Sequence, residues 1–412
     1  MTDIAKSKDE LFADFDHHSS RFRDAVHGTF SAMRAVCPVI HSDQYGGFWS
    51  LVDYASVFEA ARDYDTFNSF PWSGVPNSTA PYPIIPLESD PPLTGKLRQV
   101  TIKHFSPQAA ERLRPRTRDA VAAYIDDFIE EGECDIVGQL TTPLPARTIL
   151  HLLGFDDSHV ARTVDLIHAF VHDRTNDEDR ALAATAELFD GIQTELVRRR
   201  GASDLGNDMF GAILKGTIDD RPLEDSEILM YTIQILLGGM DTTSGLTGNC
   251  LLYLADHPDV RQRLIDNPSL LASVTDEFLR HSSPVVGLAR TVAREVNFHG
   301  ARLSTGDRII LMWAAANRDP AVFSEPDNID LDRKNMKRHM SFGVGVHRCL
   351  GSHLAKMMFQ EMMAAVLTRL PDFKLNGEPV LFADAGEVHA VRKLPIAFTP
   401  GPRRTSDPPP DS

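Results

Sequence analysis

Long apolar runs are missing from this sequence. No stretch reaches the roughly 18 consecutive apolar residues that a membrane-spanning helix needs. The segment from Met1 to Asp16 is charged and lacks the apolar core of a secretory signal peptide. We therefore expect a cytoplasmic protein that does not bind a membrane.

Cysteine is also scarce. The chain has 412 residues and four cysteines, Cys37, Cys134, Cys250 and Cys349, with no CxxC pair among them. This excludes a disulfide scaffold and fits a reducing compartment. No flavin or iron–sulfur motif appears, so electrons for any redox reaction would come from another protein.

Basic residues are fewer than acidic residues in the whole chain, but one segment is rich in them. The formal net charge of −16 argues against nucleic acid as a partner. The segment from Arg333 to Lys356 nevertheless contains no acidic residue and six basic ones, Arg333, Lys334, Lys337, Arg338, Arg348 and Lys356. Two interpretations stay open: solvated helix faces, or a docking surface for an acidic protein.

No composition shift marks a linker before the last dozen residues, so a single domain is the simpler interpretation. Apolar residues make up 42% of the chain and charged residues 24%, which is ordinary for a globular protein. Segments with helical periodicity outnumber alternating ones, which predicts a mainly α fold with a small β-sheet region. We expect a flexible segment over 1–19, one domain over 20–400 and a disordered, proline-rich tail over 401–412.

The same patterns predict the elements. We expect helices over 20–36, 54–62, 93–105, 107–132, 135–154, 157–173, 177–201, 224–256, 273–282 and 352–370. We expect strands over 39–41, 47–52, 285–290 and in parts of 297–311 and 373–400, with a turn over 386–390 that reaches into a pocket. The stretch 64–89 contains five prolines and several large apolar residues, which predicts a long ordered loop.

The most specific motif is Phe342-Gly343-x-Gly345-x-His347-x-Cys349-x-Gly351. The glycines indicate a tightly bent backbone that can lie against a bulky ligand. Cys349 precedes the helix predicted over 352–370, and a helix N-terminus favours the thiolate form of a cysteine. A metal ligand is the natural use for such a sulfur. A zinc site with His347 lacks two further ligands at suitable spacing.

This motif resembles the haem-binding loop of the cytochrome P-450 family of haem-thiolate monooxygenases. The resemblance implies the family's triangular, mainly helical fold and one haem b with Cys349 as the iron ligand. Phe342, Gly343 and Gly351 would border the haem. The implied reaction inserts one oxygen atom from O2 into a hydrophobic small molecule.

A second motif lies in the longest predicted helix, as Gly238-Gly239-Met240-Asp241-Thr242. Two adjacent glycines cost a buried helix about 2 kcal/mol relative to alanine, and close approach of a flat ligand would explain them. Thr242 can also bond the carbonyl of Gly238 and open the helix there. The stretch resembles the family's Gly-Gly-x-Asp-Thr signature, which implies that Thr242 takes part in oxygen activation and that Asp241 relays protons.

The resemblance extends to residues that support the haem. Arg98, Arg290 and His347 match family residues that bind its propionates, whereas Thr94 stands where many bacterial members have a histidine. Glu277 and Arg280 match the family's Glu-x-x-Arg motif, and Arg333 fits its partner arginine, although Ile329 replaces a usual aromatic residue. These three residues are predicted to form a structural triad. Candidate substrate contacts are Phe70, Trp72, Ile85, Val285 and Val286.

The resemblance further implies a monomer that receives electrons from a ferredoxin and an NAD(P)H-dependent ferredoxin reductase. The basic segment around Cys349 is the predicted docking surface. Two alternatives stay open: a haem-binding sensor or carrier without turnover, and a peroxygenase driven by hydrogen peroxide. The pair Asp241 and Thr242 favours the dioxygen route over the peroxygenase.

Overall fold

The computed structural model describes residues 11–404, and about 51% of the chain is helical. The helices are α1 Ser20–Arg23, α2 Val26–Val36, α3 Tyr54–Ala60, α4 Leu93–Thr101, α5 Pro107–Asp126, α6 Pro143–Leu153, α7 Val160–His172, α8 Glu178–Arg200, α9 Met209–Leu214, α10 Asp225–Asp256, α11 Pro258–Asp266, α12 Leu270–His281, α13 Trp313–Ala316 and α14 Ser352–Arg369. Short 3-10 turns occupy Gln44–Gly46, Ile102–Phe105, Asp157–His159, Met336–Arg338 and Gly345–His347, and a π turn, Val137–Thr141, precedes α6.

The strands are short. They are β1 Val39–Ser42, β2 Phe48–Leu51, β3 Phe67–Asn68, β4 Glu133–Asp135, β5 Thr217–Ile218, β6 Arg221–Pro222, β7 Leu288–Val292, β8 Val296–Phe298, β9 Ala301–Leu303, β10 Arg308–Leu311, β11 Lys374–Leu375, β12 Val380–Leu381, β13 Val391–Lys393 and β14 Pro395–Ala397. The largest sheet has the order β1-β2-β10-β7-β3. β2 and β10 are parallel and the other neighbours antiparallel. The register places Ile309 opposite Arg290.

Helix α10 is the longest element and crosses the core. A capping box between Glu224 and Glu227 fixes its start, because each side chain satisfies a free backbone N–H of the first turn. Its surface is apolar nearly all round, and it packs against α6, α7 and α14. A helix that is apolar on every side must be covered on every side, so α10 is the central element of the helical layer.

The N-terminal segment differs from the prediction. Phe15, His17 and His18 are buried. The ring of His18 lies 2.8 Å from the carboxylate of Asp384 and donates to the carbonyl of Val75 at 2.7 Å. Within the segment predicted to be flexible, 1–19, the buried side chains of Phe15, His17 and His18 thus contact the rest of the domain. Residues 1–10 and 405–412, which include most of the predicted disordered tail, lie outside the described residues.

Other boundaries also moved. The helix predicted over 20–36 is interrupted at Ala25, whose non-helical φ of −142° separates α1 from α2. The strand predicted over 285–290 begins at Leu288, because Val285 instead bridges to Val388. Helix α9 and the β5–β6 hairpin were not predicted. That hairpin turns through Asp219 and Asp220, both with positive φ, where a sequence pattern would look for glycine.

Among the described residues, no helix is both long enough and apolar enough to cross a bilayer.

Candidate active site

An internal cavity lies between the middle of α10 and the loop that carries Cys349. One wall contains Phe342, Gly343, His347, Cys349 and Gly351; the facing wall contains Gly238, Gly239, Asp241 and Thr242; Arg98 and Arg290 line its side. The two sequence motifs are about 100 residues apart in the chain, and the fold brings them to one space. This arrangement agrees with the expectation of a flat ligand held between them.

The Cys349 loop is held by its own backbone. The N–H of Cys349 donates to the carbonyl of Phe342 at 2.8 Å. Gly343 and Gly345 have φ of +64° and +74°, and a Cβ on Gly345 would lie 2.8 Å from the carbonyl oxygen of Ala61. Only glycine fits there without strain. The bend leaves the Cys349 side chain exposed to the cavity although protein surrounds it.

Burial raises the pKa of the Cys349 thiol above its usual value. A hydrogen bond from the Gly351 N–H and the charges of Arg98 and Arg348 act in the opposite direction but do not outweigh burial. The Gly351 N–H at the start of α14 thus favours the thiolate, but in the protein alone burial outweighs that effect. A metal ion must displace the thiol proton when it binds.

The facing wall behaves largely as predicted. The hydroxyl of Thr242 donates to the carbonyl of Gly238 at 2.9 Å, so that carbonyl has a side-chain partner inside the helix. A Cβ on Gly238 would meet only the Gln234 amide, at 3.4 Å, whereas one on Gly239 would lie 2.4 Å from Ile149. Close packing of α6 thus explains Gly239, and Gly238 is the position that opens to the cavity.

Asp241 is buried and contacts two histidines that the sequence did not single out. Its Oδ2 lies 3.1 Å from His172 Nε2 and its Oδ1 3.5 Å from His168 Nε2. The ring of His172 stacks on Phe382 with centroids 3.7 Å apart. His168 and His172 occupy positions i and i+4 of α7, so they share one face of that helix. This spacing was the only sequence signal for them.

The charges of this cluster offset the cost of burial. Burial raises the pKa of Asp241, but the positive charge of His172 and its hydrogen bond outweigh this and hold the pKa below its usual value. Burial lowers the pKa of His172, yet the carboxylate of Asp241 raises it above its usual value. Each member of the pair therefore favours the charged form of the other, a carboxylate beside an imidazolium.

Three positive or donor groups reach the cavity, as the sequence predicted. Arg290 is buried, and its Nη1 donates to the carbonyl of Ala289 at 2.7 Å. Burial lowers its pKa to about 10, and within residues 11–404 no carboxylate forms an ion pair with it. Arg98 Nη2 donates to the carbonyl of Arg348 at 2.6 Å, and His347 Nε2 lies 2.9 Å from the hydroxyl of Ser69.

A buried cation without a counterion is costly, and an anionic ligand would remove that cost. Two carboxylates entering beside Arg98, Arg290 and His347 would do so. The thiol facing the cavity and the opening at Gly238 suit the same ligand. The residues present therefore fit a haem with its propionates on this side.

Thr94 does not take the place of a propionate-binding histidine. Its hydroxyl donates to the carbonyl of Ser89 and lies 3.0 Å from the Ser89 hydroxyl. It is buried and does not border the cavity. Its role is to close the turn that leads into α4.

The predicted substrate contacts need correction. Of the five candidates, only Val285 lines the cavity. Val286 is fully buried among the strands of the main sheet, while Phe70 and Ile85 line a separate outer groove with Tyr82. Trp72 borders neither space. The residues that do line the apolar part of the cavity are Ile84, Leu87, Phe170, Val171, Ile235, Leu246, Val285, Leu288 and Val388. The turn over 386–390 reaches the cavity as predicted.

The predicted triad is present behind the site. Glu277 and Arg280 are fully buried, with Nη2 of Arg280 2.8 Å from Oε1 of Glu277, and Nε of Arg333 lies 2.9 Å from Oε2. Arg280 also donates to the carbonyls of Asn317, Pro326 and Asn328. The departure at Ile329 leaves this network intact.

Asn317 joins the triad to the cysteine loop. Its amide nitrogen donates to the hydroxyl of Ser341 at 2.8 Å, and its amide oxygen accepts from the N–H of Met340 at 2.6 Å. Ser341 in turn donates to the carbonyl of Leu279 in α12. The loop is thus fastened to the same helix that carries Glu277 and Arg280.

The family model described as "Cytochrome P450" matches residues 139–379. The chain is 31% identical to a steroid C26-monooxygenase of Mycobacterium tuberculosis, over 97% of this chain and 99% of that protein. It is 32% identical to cytochrome P450 107B1 of Saccharopolyspora erythraea, over 75% and 76% of the two chains. The structure of CYP109E1 from Bacillus megaterium in complex with testosterone superimposes with a TM-score of 0.84 at 25% identity, covering 92% of this chain and 99% of that one.

Clusters of three or more histidine, cysteine, aspartate or glutamate side chains that could hold a metal ion are absent from the described residues.

Proposed function

Because the chain belongs to the cytochrome P450 family, we propose that Cys349 is its axial haem ligand and that Asp241 and Thr242 supply protons for oxygen activation. The chain is a haem-thiolate monooxygenase that binds haem b and has the P450 fold. The proposal for the residues rests on one observation: Cys349 and the Gly238–Thr242 segment face each other across one cavity. The relatives are named as monooxygenases and P450s, which does not favour a carrier or a peroxygenase.

When bound, haem supplies the redox chemistry that activates dioxygen, and a thiolate ligand favours O–O cleavage. The chain's own residues hold it and exclude water. Arg290, Arg98 and His347 would neutralise and hold its propionates. Asn317 and the buried triad would keep the Cys349 loop rigid, so that the sulfur stays aimed at the cavity.

Protons have to reach the cavity from outside. The Thr242 hydroxyl stands at the opening beside Gly238, and the Asp241 carboxylate is the adjacent residue in the helix. A carboxylate next to a hydroxyl can accept a proton on its outer side and release one on its inner side. We assign the final donation to Thr242 and the supply to Asp241.

Thr242→Ala is expected to lower product formation about a hundredfold, the low end of the range for a general acid–base step, while NAD(P)H is still consumed. The measurement is product formed per NAD(P)H oxidised, with a saturating electron donor. Thr247→Ala is a matched control, because Thr247 makes the same hydrogen bond one turn later, to the carbonyl of Thr243, and lies outside the cavity. Equal coupling in the two variants would sink the assignment to Thr242.

The substrate side of the cavity is mainly apolar, and we propose a hydrophobic substrate of steroid or terpenoid size. One relative is named for steroid oxidation, and CYP109E1 is described with testosterone. The main polar group on this side is an ion pair between Arg174 and Glu387, 2.8 Å apart, which borders the cavity. Spectral-shift titration with steroids, terpenoids and fatty acids tests this, and binding only by small polar compounds would contradict it.

The electron donor is proposed to be an acidic ferredoxin. In the basic segment, Arg333 is buried on Glu277 and Lys356 pairs with Asp276, so neither is free for a partner. Lys334, Lys337, Arg338 and Arg348 are exposed and form no ion pair within the described part of the chain. We call these four residues the basic surface. The carbonyl of Arg348 accepts from Arg98, which ties this surface to the cavity.

Charge reversal in the basic surface is expected to slow reduction by the ferredoxin about tenfold at low salt, since electrostatic steering contributes factors of this order. Lys337→Glu and Arg338→Glu test this by stopped-flow reduction across a salt series, whose slope should flatten. Lys374→Glu, an exposed lysine outside the segment, is the control. Unchanged rates and salt slopes in the first two variants would remove the docking assignment.

A cytoplasmic location belongs to the same proposal. All four cysteines are free thiols, which fits a reducing compartment.

A further inference from the structure

Asp241 is isolated from solvent. Its carboxylate is buried, and the side chains within reach of its two oxygens are His172 and His168 of α7. A carboxylate that supplies protons to every turnover needs a path for new protons. The two histidines differ in whether they can pass protons from solvent to Asp241, because their rings differ in exposure and in their other contacts.

His172 is fixed and has no route to solvent. Its Nδ1 donates to the backbone carbonyl of Asp384 at 3.1 Å. A carbonyl oxygen only accepts, so Nδ1 keeps its hydrogen and Nε2 is the atom that faces Asp241. The side chain is about 3% exposed and its ring is stacked on Phe382. This histidine therefore orients the carboxylate but cannot be reloaded from water directly.

His168 has the opposite character. Its side chain is 22% exposed, and its Nε2 lies 3.5 Å from Asp241 Oδ1. That separation is slightly beyond hydrogen-bond length, and such contacts tighten in working complexes. The ring meets Phe382 edge-on at 4.7 Å, and within residues 11–404 the contact of Nε2 with Asp241 is the closest polar contact recorded for either ring nitrogen. His168 thus reaches both water and the carboxylate.

We propose that His168 is the inlet through which protons enter the active site and that His172 is a positioning residue that holds Asp241 in line. This rests on the proposed role of Asp241. One ring nitrogen of His168 takes a proton from water while Nε2 releases its proton to Asp241 Oδ1. Asp241 then passes a proton to the cavity beside Thr242. Each transfer moves one proton, and no net charge builds up on the protein.

The surrounding charges set the pH range of this path. Charged groups facing the two rings are Asp165 on α7, Asp173 directly after it, Asp241 on α10, Asp384 in the loop before β13, and Arg392 in β13. Burial lowers the pKa of His168 to about 4, so the ring is neutral at pH 7 and can accept a proton. The pair of His172 and Asp241 loses its attraction when pH rises through the raised pKa of His172, or falls through the lowered pKa of Asp241.

His168→Gln keeps the size and a hydrogen-bond donor but cannot transfer a proton. We expect substrate oxidation to fall about tenfold to a hundredfold, with a larger solvent deuterium isotope effect, and His168→Glu to recover part of the rate. His159→Gln is the matched control, an exposed histidine just before α7. His168→Gln behaving like His159→Gln in rate and isotope effect overturns the inlet.

His172→Gln tests positioning. Without the imidazolium, burial is the largest remaining influence on Asp241 and raises its pKa, so the acid limb of the rate profile should move to higher pH. Carbon-13 labelled histidine in the resting protein gives a readout without turnover. The NMR signal of His172 is assigned by its loss in His172→Gln. Its chemical shift should remain that of a protonated imidazole at pH values where a free histidine is neutral. A His172 that titrates like a free histidine overturns the positioning role.

Asp241→Asn separates the two proposals. The measurement is coupling, the product formed per NAD(P)H oxidised. If Asp241→Asn and His168→Gln both lower it, the role of Asp241 and the inlet at His168 both stand. If only Asp241→Asn loses coupling, the inlet is wrong and the role of Asp241 stands. If Asp241→Asn keeps full coupling, the role of Asp241 fails and the inlet fails with it.

Discussion

Cys349→Ser is expected to abolish monooxygenase activity completely. Serine fits the loop, because the hydrogen bond from Cys349 N–H to Phe342 and the glycine conformations do not involve the sulfur. A hydroxyl oxygen can also accept the Gly351 N–H that the sulfur accepts. A hydroxyl, however, does not ionise readily and cannot give iron the electron density that a thiolate gives. Product formation should fall to background in every redox system tested. The reduced, carbon monoxide-bound protein should lose the red-shifted absorption band of a thiolate-ligated haem.

The chain offers two matched controls. Cys37 and Cys134 are half-buried free thiols that do not border the cavity. Cys37→Ser and Cys134→Ser should keep the red-shifted band and full activity. A red-shifted band that survives in Cys349→Ser, or disappears in Cys134→Ser, would show that another sulfur binds the iron.

Features that depend only on residues close together in the chain were predictable from the sequence. The boundaries of α10 were predicted within one residue, since the capping pair Glu224 and Glu227 and a long apolar run define it locally. The hydrogen bond from Thr242 to Gly238 was predicted for the same reason, as it spans four residues. The Cys349 loop has so specific a spacing of glycines that its bent shape followed from the motif.

Features that depend on distant contacts were not predictable in this way. A long loop with five prolines must be ordered, but periodicity cannot tell which of its side chains face inward; Ile84 and Leu87 do, while Phe70 and Trp72 do not. His172 meets Asp241 across 69 residues and His18 meets Asp384 across 366. Such pairs are fixed by how helices and termini pack, and no pattern of neighbouring residues names the distant partner.

Counting charges along the sequence overestimated the exposed basic surface for a related reason. The segment 333–356 has no acid of its own, yet two of its six basic residues are neutralised by acids of α12. Arg333 pairs with Glu277 and Lys356 with Asp276, both far away in sequence. The basic surface is therefore smaller than the sequence suggests, and it lies on the residues that flank the cysteine loop.

Glu277→Gln is expected to cost about 3–5 kcal/mol of unfolding free energy, the range for breaking a buried ion pair on one side. Glu277 holds two buried cations, Arg280 and Arg333, and also accepts from the N–H of Asp330. Glutamine would leave these cations facing each other without a counterion. The measurement is urea unfolding followed by circular dichroism. The unfolding free energy of a typical domain is about 5–15 kcal/mol, so this loss would remove a large part of it.

Glu295→Gln provides the control, because Glu295 pairs with Arg302 on the surface, where both side chains are more than half exposed. Such pairs contribute about 0–1 kcal/mol, so this variant should unfold like the wild type. The haem content should separate the two variants as well. Arg280 bonds the carbonyl of Asn317, and Asn317 fastens Ser341 at the start of the cysteine loop. Loss of Glu277 should therefore loosen the loop and lower haem retention, whereas an unfolding free energy and haem content equal to those of Glu295→Gln would contradict a structural role for the triad.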